Sequence, residues 1–319
     1  MFLKWTQRLL LPLALMSIPV LAVEQTVQVP GPLGALSGSL VAVADPQAPV
    51  VLIVPGAGPT DRDGNNPLGI RAATYRLLAQ GLAGQGISSL RIDKRGLFGS
   101  RAAIANPNQV TVQDYASDVR LWMSYLAQRE RYRCVWLLGH SEGGLVAMLA
   151  AQNNPDLCGV ILLAAPGRPM GQVLRSQLAR NPVERKQLDA ALAVIDSLER
   201  GVPVAEVPGV LQPLLRPEVQ SFLISGFALD PAQLLSRVNK PVLILQGNSD
   251  LQVGINDAEA LHAARPGSVL RILAGVNHVF KAVPQGDHEA NVAAYGDPDL
   301  PLASGVIEPI VQVIHGAAH

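Results

Sequence analysis

The sequence predicts an α/β protein: a mostly parallel sheet with helices on both faces and a helical cap inserted into it. Three observations carry this. Short apolar, β-branched runs alternate with segments of helical periodicity. The alternation breaks once, over residues 167–238, where short helical stretches separated by prolines replace it, and it then resumes toward the C-terminus. The composition allows one large core, with 49% hydrophobic and only 16% charged residues in 319, which argues against bulk disorder. Lys+Arg and Asp+Glu balance at 25 each, so there is no electrostatic footprint for nucleic acid or an anionic membrane surface.

Residues 1–22 read as a secretory signal peptide. Lys4 and Arg8 precede an apolar run interrupted by Pro12 and Pro19, and Val20-Leu21-Ala22 offers a cleavage site after Ala22. The run is short for a membrane span, so a periplasmic or secreted protein with no stable anchor after cleavage is expected. The first part of the core then covers 23–166, the cap 167–238 and the second part of the core 239–319.

Within the core, 26–29 and 36–43 read as strands joined by Pro30-Gly31-Pro32, and the run 50–54 as a strand buried on both faces. A helix is expected over 70–82, a strand over 87–92, and a helix capped by Thr111 running to about Arg129. Strand 134–138, helix 142–152 and strand 158–164 follow. In the cap, helical stretches are expected at 172–179, 183–198, 210–215, 217–224 and 231–235. The core resumes with strand 241–245, helix 255–264, strand 268–273 and a last helix over 307–315. Cys134 and Cys158 each open a short apolar run. On neighbouring parallel strands in an oxidising compartment the two thiols can bridge; two buried free thiols are the alternative.

In a sheet of this kind, ligands bind beyond the carboxyl ends of the strands. The loops that start at Pro55, Asp93, Gly139, Gly247 and Gly275 fall at that end. Gly139-His140-Ser141-Glu142-Gly143 fits the Gly-x-Ser-x-Gly turn between a strand and a helix. Glycines on either side of the serine remove Cβ atoms that would collide as strand and helix close on each other, and the helix N-terminus favours negative charge beside the reacting centre. A serine hydroxyl needs a base, and the expected chain order is serine, acid, histidine. Asp250 and His278 satisfy it, each in a loop after a strand. His140, His262, His288, His315 and His319 are poorer bases by position, and Asp257, the rival acid, reads as a helix N-terminal residue. An oxyanion site needs two backbone N–H donors: the amide of Glu142 and that of Ala57 in Pro55-Gly56-Ala57-Gly58, with Gly58 as runner-up.

The charged stretch Asp61-Arg62-Asp63-Gly64-Asn65 is read as a loop rigidified by its own hydrogen bonds, with binding of a polar substrate group as the alternative. Arg95 is read as pairing with an acid on a neighbouring loop. The Glu142 side chain is compatible with a helix N-terminus and could meet a polar substrate or the 61–65 loop. No metal-ligand spacing, phosphate cradle or dinucleotide motif stands out, and no cofactor is expected.

Gly139 to Gly144, Asp250, His278 and the loop at Pro55–Pro59 together resemble the α/β-hydrolase superfamily. The segments from Gly56 to Asn65 and from Asp93 to Gly96 resemble its bacterial serine-aminopeptidase-like and dienelactone-hydrolase-like groups. The resemblance runs from about Val27 to His315 and is weakest in the cap. It implies cofactor-free hydrolysis through an acyl-enzyme on Ser141, with a small-molecule carboxylic ester as the leading substrate class. Serine at 141 departs from the cysteine of dienelactone hydrolases, and Pro-Gly at the oxyanion loop departs from the His-Gly of many lipases. A peptidase or amidase would need an amine-binding pocket, for which Glu184, Asp189, Asp196 and Glu199 are the cap's acids. A thioesterase fits export poorly, and a non-catalytic binding protein would have lost a triad member. Leu211, Leu214, Leu215, Phe222, Leu223 and Phe227 are read as the cap's own core, with an acyl pocket as the alternative.

Overall fold

The computed structural model describes residues 22–180 and 185–317; the expected signal segment up to Leu21, the cap residues Val183 and Glu184, and His319 lie outside them. The chain opens with β1 (Val23–Pro30) and β2 (Ala35–Ala42), an antiparallel hairpin in which Val29 faces Leu36. The turn is closed by the Gly31 N–H donating to the Gly34 carbonyl at 2.9 Å. The next strand, β3 (Val50–Val54), is buried at every residue, as its uniform β-branched and leucine sequence requires.

The first helix, α1 (Thr74–Ala83), begins four residues later than periodicity suggests. Ile70 is held in a bridge with Asn66, and the Asp63 carbonyl accepts the N–H groups of Tyr75 and Arg76 at 3.1 and 3.3 Å. A loop carbonyl thus satisfies the first-turn amides and sets where winding starts. Strand β4 (Ser88–Ile92) leads to α2 (Val112–Gln128), which carries a reciprocal capping box between Thr111 and Asp114. Then come β5 (Val135–His140), α3 (Glu142–Ala150) and β6 (Leu157–Leu163).

The inserted helices are α4 (Met170–Arg180), α5 (Arg185–Glu199), α6 (Gln212–Leu215) and α7 (Pro217–Phe227). The core returns with α8 (Pro231–Ser236), β7 (Val242–Gly247), α9 (Ile255–Ala264), β8 (Val269–Leu273), α10 (His288–Ala293) and α11 (Ile307–Gly316). The short α10 had no counterpart among the expected helices.

The eight strands form one sheet in the order β1-β2-β4-β3-β5-β6-β7-β8. The β1–β2 and β2–β4 pairs are antiparallel and all others parallel. Apolar side chains of α2, α3, α8 and α9 form a continuous cluster with one face of the sheet. Tyr75, Leu78 and Leu82 of α1 and Ile310 and Ile314 of α11 close the other. The chain runs from β3 outward to β4 and then returns to β5 on the opposite side of β3. A crevice therefore opens beyond the carboxyl ends of β3 and β5, where the two crossovers part.

The cap has its own apolar cluster, from Leu174 to Phe227, which contains Leu211, Leu215, Leu223 and Phe227. Phe222 instead packs on Tyr115 of α2, with ring centroids 5.5 Å apart, and Leu214 is exposed. Leu234, Leu235 and Val238, in the last part of the segment expected as cap, pack in the main cluster. Among the described residues, no helix is long and apolar enough to cross a membrane.

Cys134 and Cys158 are joined in a disulfide, with Cα atoms 5.2 Å apart. Val135 pairs with Leu157 but Trp136 with Gly159, so Cys158 is the extra residue of a bulge. The bridge lies at the amino ends of β5 and β6, away from the crevice, and closes a sequence separation of 24 residues. Replacing both cysteines by alanine should lower the unfolding free energy by about 2–4 kcal/mol in urea denaturation. The kinetics at the far end of the sheet should be unaltered.

Candidate active site

Ser141 joins β5 to α3 with φ 53° and ψ −127°, a conformation that non-glycine residues rarely hold. The surroundings over-determine it. A Cβ on Gly139 would stand 2.4 Å from the Gly143 carbonyl oxygen, and one on Gly143 would stand 2.3 Å from that of Val54. A Cβ on Gly144 would stand 2.5 Å from the Ala165 methyl. Helix and sheet approach closely only because these positions carry no side chain. Ser141 is thereby lifted to the crevice, and the Glu142 amide, first in α3, has no intrahelical acceptor.

His278 and Asp250 come together as expected. His278 Nδ1 lies 2.8 Å from Asp250 Oδ2, and both side chains are almost fully buried. Asp250 Oδ1 accepts the Gln252 and Val253 N–H groups at 2.7 and 3.0 Å, and Oδ2 also accepts from the Gln246 amide at 3.1 Å. Burial alone would raise the carboxyl pKa. His278, with the two backbone donors, outweighs burial and holds it below the usual carboxylate range. With Nδ1 donating to Asp250, His278 Nε2 is left as the basic nitrogen. Ser141 and His278 line one cleft of about 70 Å³, together with Gly56, Ala57, Thr60, Ile70, Thr74, Gln252 and Val279.

The candidate oxyanion loop stands against the serine: a Cβ on Gly56 would be 3.3 Å from that of Ser141. Ala57 lines the cleft, and its amide has no acceptor among the described residues. Gly58 does not line the cleft; with φ +68° it turns the loop away. The loop is held by a buried chain of hydrogen bonds. The Gly56 N–H donates to the Tyr75 hydroxyl at 2.9 Å, and Tyr75 Oη lies 2.8 Å from His140 Nδ1. His140 Nε2 lies 2.9 Å from the His278 carbonyl oxygen. Since that carbonyl can only accept, Nε2 carries the proton and Nδ1 accepts from Tyr75. Both ring nitrogens of His140 are thus engaged away from the serine hydroxyl, and the ring, which lines the same cleft, ties the candidate oxyanion loop to the backbone of His278.

Two further groups complete the surroundings, neither assigned from sequence. Lys94 is buried and its Nζ donates to the Gly56 carbonyl at 2.6 Å. Glu142 Oε1 lies 4.0 Å from the same Nζ, so its partner is Lys94 rather than the 61–65 loop. Burial pushes the lysine pKa down and the carboxyl pKa up, and the charge of each partner opposes the other's shift. Lys94 sits in the motif Asp93-Lys94-Arg95-Gly96, visible in the sequence; nothing there links it to a glycine 38 residues earlier. Tyr75 carried no sequence signal.

The other charged residues singled out in the sequence bond to neighbouring protein groups or face solvent. Asp61 Oδ1 accepts the Asp63 and Asn65 N–H groups at 2.9 and 2.8 Å, and Arg62 pairs with Asp93 at 2.5 Å. Arg95 grips Asp114 and Asp118 at 3.0 and 2.6 Å; both acids lie on α2, not on a neighbouring loop. Asp257 lies near the start of α9, but its fully buried carboxylate accepts from the Gly167 and Arg168 N–H groups and pairs with the Arg168 side chain at 2.8 Å. It thus anchors the entry to the cap. His262 bonds to Ser268, and His288 is exposed at the start of α10. In the cap, Arg175 occupies Glu199 and Asp196, and Asp189 is exposed.

The chain is similar to several known hydrolases. A family model described as serine aminopeptidase, S33, matches residues 68–198. Esterase EstD of Thermotoga maritima is 28% identical over 226 residues, which cover 66% of this chain and 48% of that protein. Lysophospholipase L2 of Escherichia coli K12 is 34% identical over 95 residues, 29% of this chain and 28% of that protein. The chain thus spans about half the length, or less, of these curated relatives. Among solved structures, Est1E of Butyrivibrio proteoclasticus with ferulic acid bound superposes with a TM-score of 0.58 at 16% identity, covering 88% of this chain and 96% of that one. A hydrolase from Pseudomonas aeruginosa PA01 gives 0.54 at 18% identity, covering 92% and 98%. The chain has the α/β-hydrolase fold. Its sequence is similar to members of the esterase and serine-aminopeptidase-like group.

His140 yields a pH prediction. Burial first, then the neighbouring His278, pushes its pKa down from 6.5 to about 3. An unfolded chain would protonate this histidine near pH 6.5 while the folded chain would not, so the unfolded state binds more protons between about pH 3 and 6.5. Stability should therefore fall as pH drops through that window, by an amount on the order of a few kcal/mol. The depressed Asp250 adds its own loss only below about pH 4. Denaturation of wild type and His140→Gln between pH 6.5 and 4 should show a flatter dependence in the variant.

Proposed function

We propose that the protein hydrolyses small carboxylic esters through an acyl-enzyme on Ser141. The observation that carries this reading is the coupling of His278 to Asp250 at 2.8 Å in the cleft that Ser141 lines. Ser141 Oγ attacks the ester carbonyl carbon while His278 Nε2 takes its proton. The Ala57 and Glu142 amides receive the oxyanion. His278 then protonates the departing alkoxide, and the alcohol leaves. A water, deprotonated by His278, attacks the acyl carbon in turn, releasing the acid and restoring Ser141. Asp250 keeps the imidazole in the tautomer that this sequence requires.

Esters are preferred here over peptides with a free amine. The cleft-lining residues include no carboxylate, and Asp196 and Glu199 are committed to Arg175. The narrow cleft favours short acyl groups. We further propose an exported protein, released by cleavage after Ala22; the Cys134–Cys158 bridge supports an oxidising compartment.

A fluorophosphonate probe should label the wild-type protein and leave Ser141→Ala unlabelled. A p-nitrophenyl ester series should be turned over with a preference for short chains, and aminoacyl anilides should be poor substrates. Labelling that survives Ser141→Ala would contradict the assignment. Asp250→Asn should both turn over and be labelled far more slowly, turnover by roughly 10⁴-fold, through the wrong imidazole tautomer.

A further inference from the structure

We propose that Lys94 is a positioning residue for the oxyanion site. Its ammonium group holds the Gly56–Ala57 peptide unit so that the carbonyl points into the protein and the Ala57 N–H points into the cleft. This rests on the hydrolase reading above and extends it to a residue outside the triad.

The Gly56 carbonyl and the Ala57 N–H belong to one planar unit, and the described chain contains no cis peptide, so the two bonds point in opposite directions. Whatever fixes the carbonyl fixes the donor. Lys94 Nζ fixes it at 2.6 Å from the buried side. The preceding amide is fixed too, since the Gly56 N–H donates to Tyr75 at 2.9 Å. Glycine is the residue least able to hold its own φ and ψ. Here both flanking peptides are tethered, and Thr60 Oγ1 holds the Ala57 carbonyl at 2.7 Å.

The choice of a lysine also needs a reason, because a buried ammonium is costly. A plain structural ion pair would place Nζ on the carboxylate. Instead Nζ is within hydrogen-bond distance of the Gly56 carbonyl, and Glu142 stands off at 4.0 Å. A charged donor on the carbonyl polarises the peptide and strengthens its N–H as a donor. The ammonium also neutralises Glu142, whose carboxylate follows the nucleophile directly and would otherwise oppose a negative charge forming beside Ser141.

The test uses the mature protein with p-nitrophenyl acetate, a trifluoromethyl ketone that forms a tetrahedral adduct on serine, and acetate as a ground-state ligand. Lys94→Met alone leaves Glu142 buried without a counter-charge, so Lys94→Met/Glu142→Gln is measured in parallel; it removes both charges and guards against a folding defect. Thermal melts establish that each variant is folded. In the double variant, kcat and ketone affinity should each fall by roughly 10–100-fold, with KM and acetate affinity changed less than about threefold. A folded double variant with wild-type kcat and ketone affinity would show that Lys94 serves only to balance Glu142, and would overturn the proposal. So would equal losses in KM, acetate affinity and kcat. A wild-type protein that neither turns over esters nor reacts with the fluorophosphonate would overturn the hydrolase reading itself.

Discussion

The constraint on which the rest of this structure depends is the close approach of α3 to the sheet at Ser141. Gly139, Gly143 and Gly144 leave no room for a Cβ, with would-be contacts of 2.3–2.5 Å to neighbouring backbone or to the Ala165 methyl. That approach forces Ser141 into its left-handed conformation and presents the first amides of α3 to the crevice. The crevice exists because the chain leaves β3 in one direction for β4 and in the other for β5. Local crowding and global topology therefore converge on the same point. Every other element of the site is attached around it.

The attachment is mostly polar and buried. One chain of hydrogen bonds runs from the Gly56 N–H through Tyr75 and His140 to the His278 carbonyl, joining a loop after β3, a helix, the end of β5 and the loop after β8. Burial keeps the His140 imidazole neutral, which preserves the one arrangement of donors and acceptors that satisfies the whole chain. Lys94 adds a second tether on the same glycine. The loops that carry Gly56 and His278 are thus braced by buried side chains, the kind of support that positional accuracy at a reacting centre requires.

The parts of this architecture that were legible in the sequence are those written in local pattern. The apolar run of β3, the capping residue Thr111 and the start and end of α9 are encoded by adjacent residues and were read closely from them. The serine turn was legible because steric need confines its neighbours to glycine. Asp250 and His278 were found from chain order and loop position, and the structure brings them into contact. What escaped was set by contacts between distant segments. Lys94 reaches back 38 residues to Gly56, Tyr75 stands 65 residues from His140, and Asp257 meets Gly167 90 residues away. The start of α1 was misplaced because a carbonyl of the 61–65 loop, not helical periodicity, decides it. No local signal could have supplied these pairings.

The central claim is that Ser141 sits where two backbone amides converge on a developing oxyanion. The most direct measurement is a crystal structure of the phosphonylated enzyme. The account predicts phosphorus bonded to Ser141 Oγ, with one phosphonyl oxygen accepting from both the Ala57 and Glu142 N–H groups at about 2.7–3.1 Å. A phosphonyl oxygen directed away from these amides, or phosphorus on another residue, would contradict it.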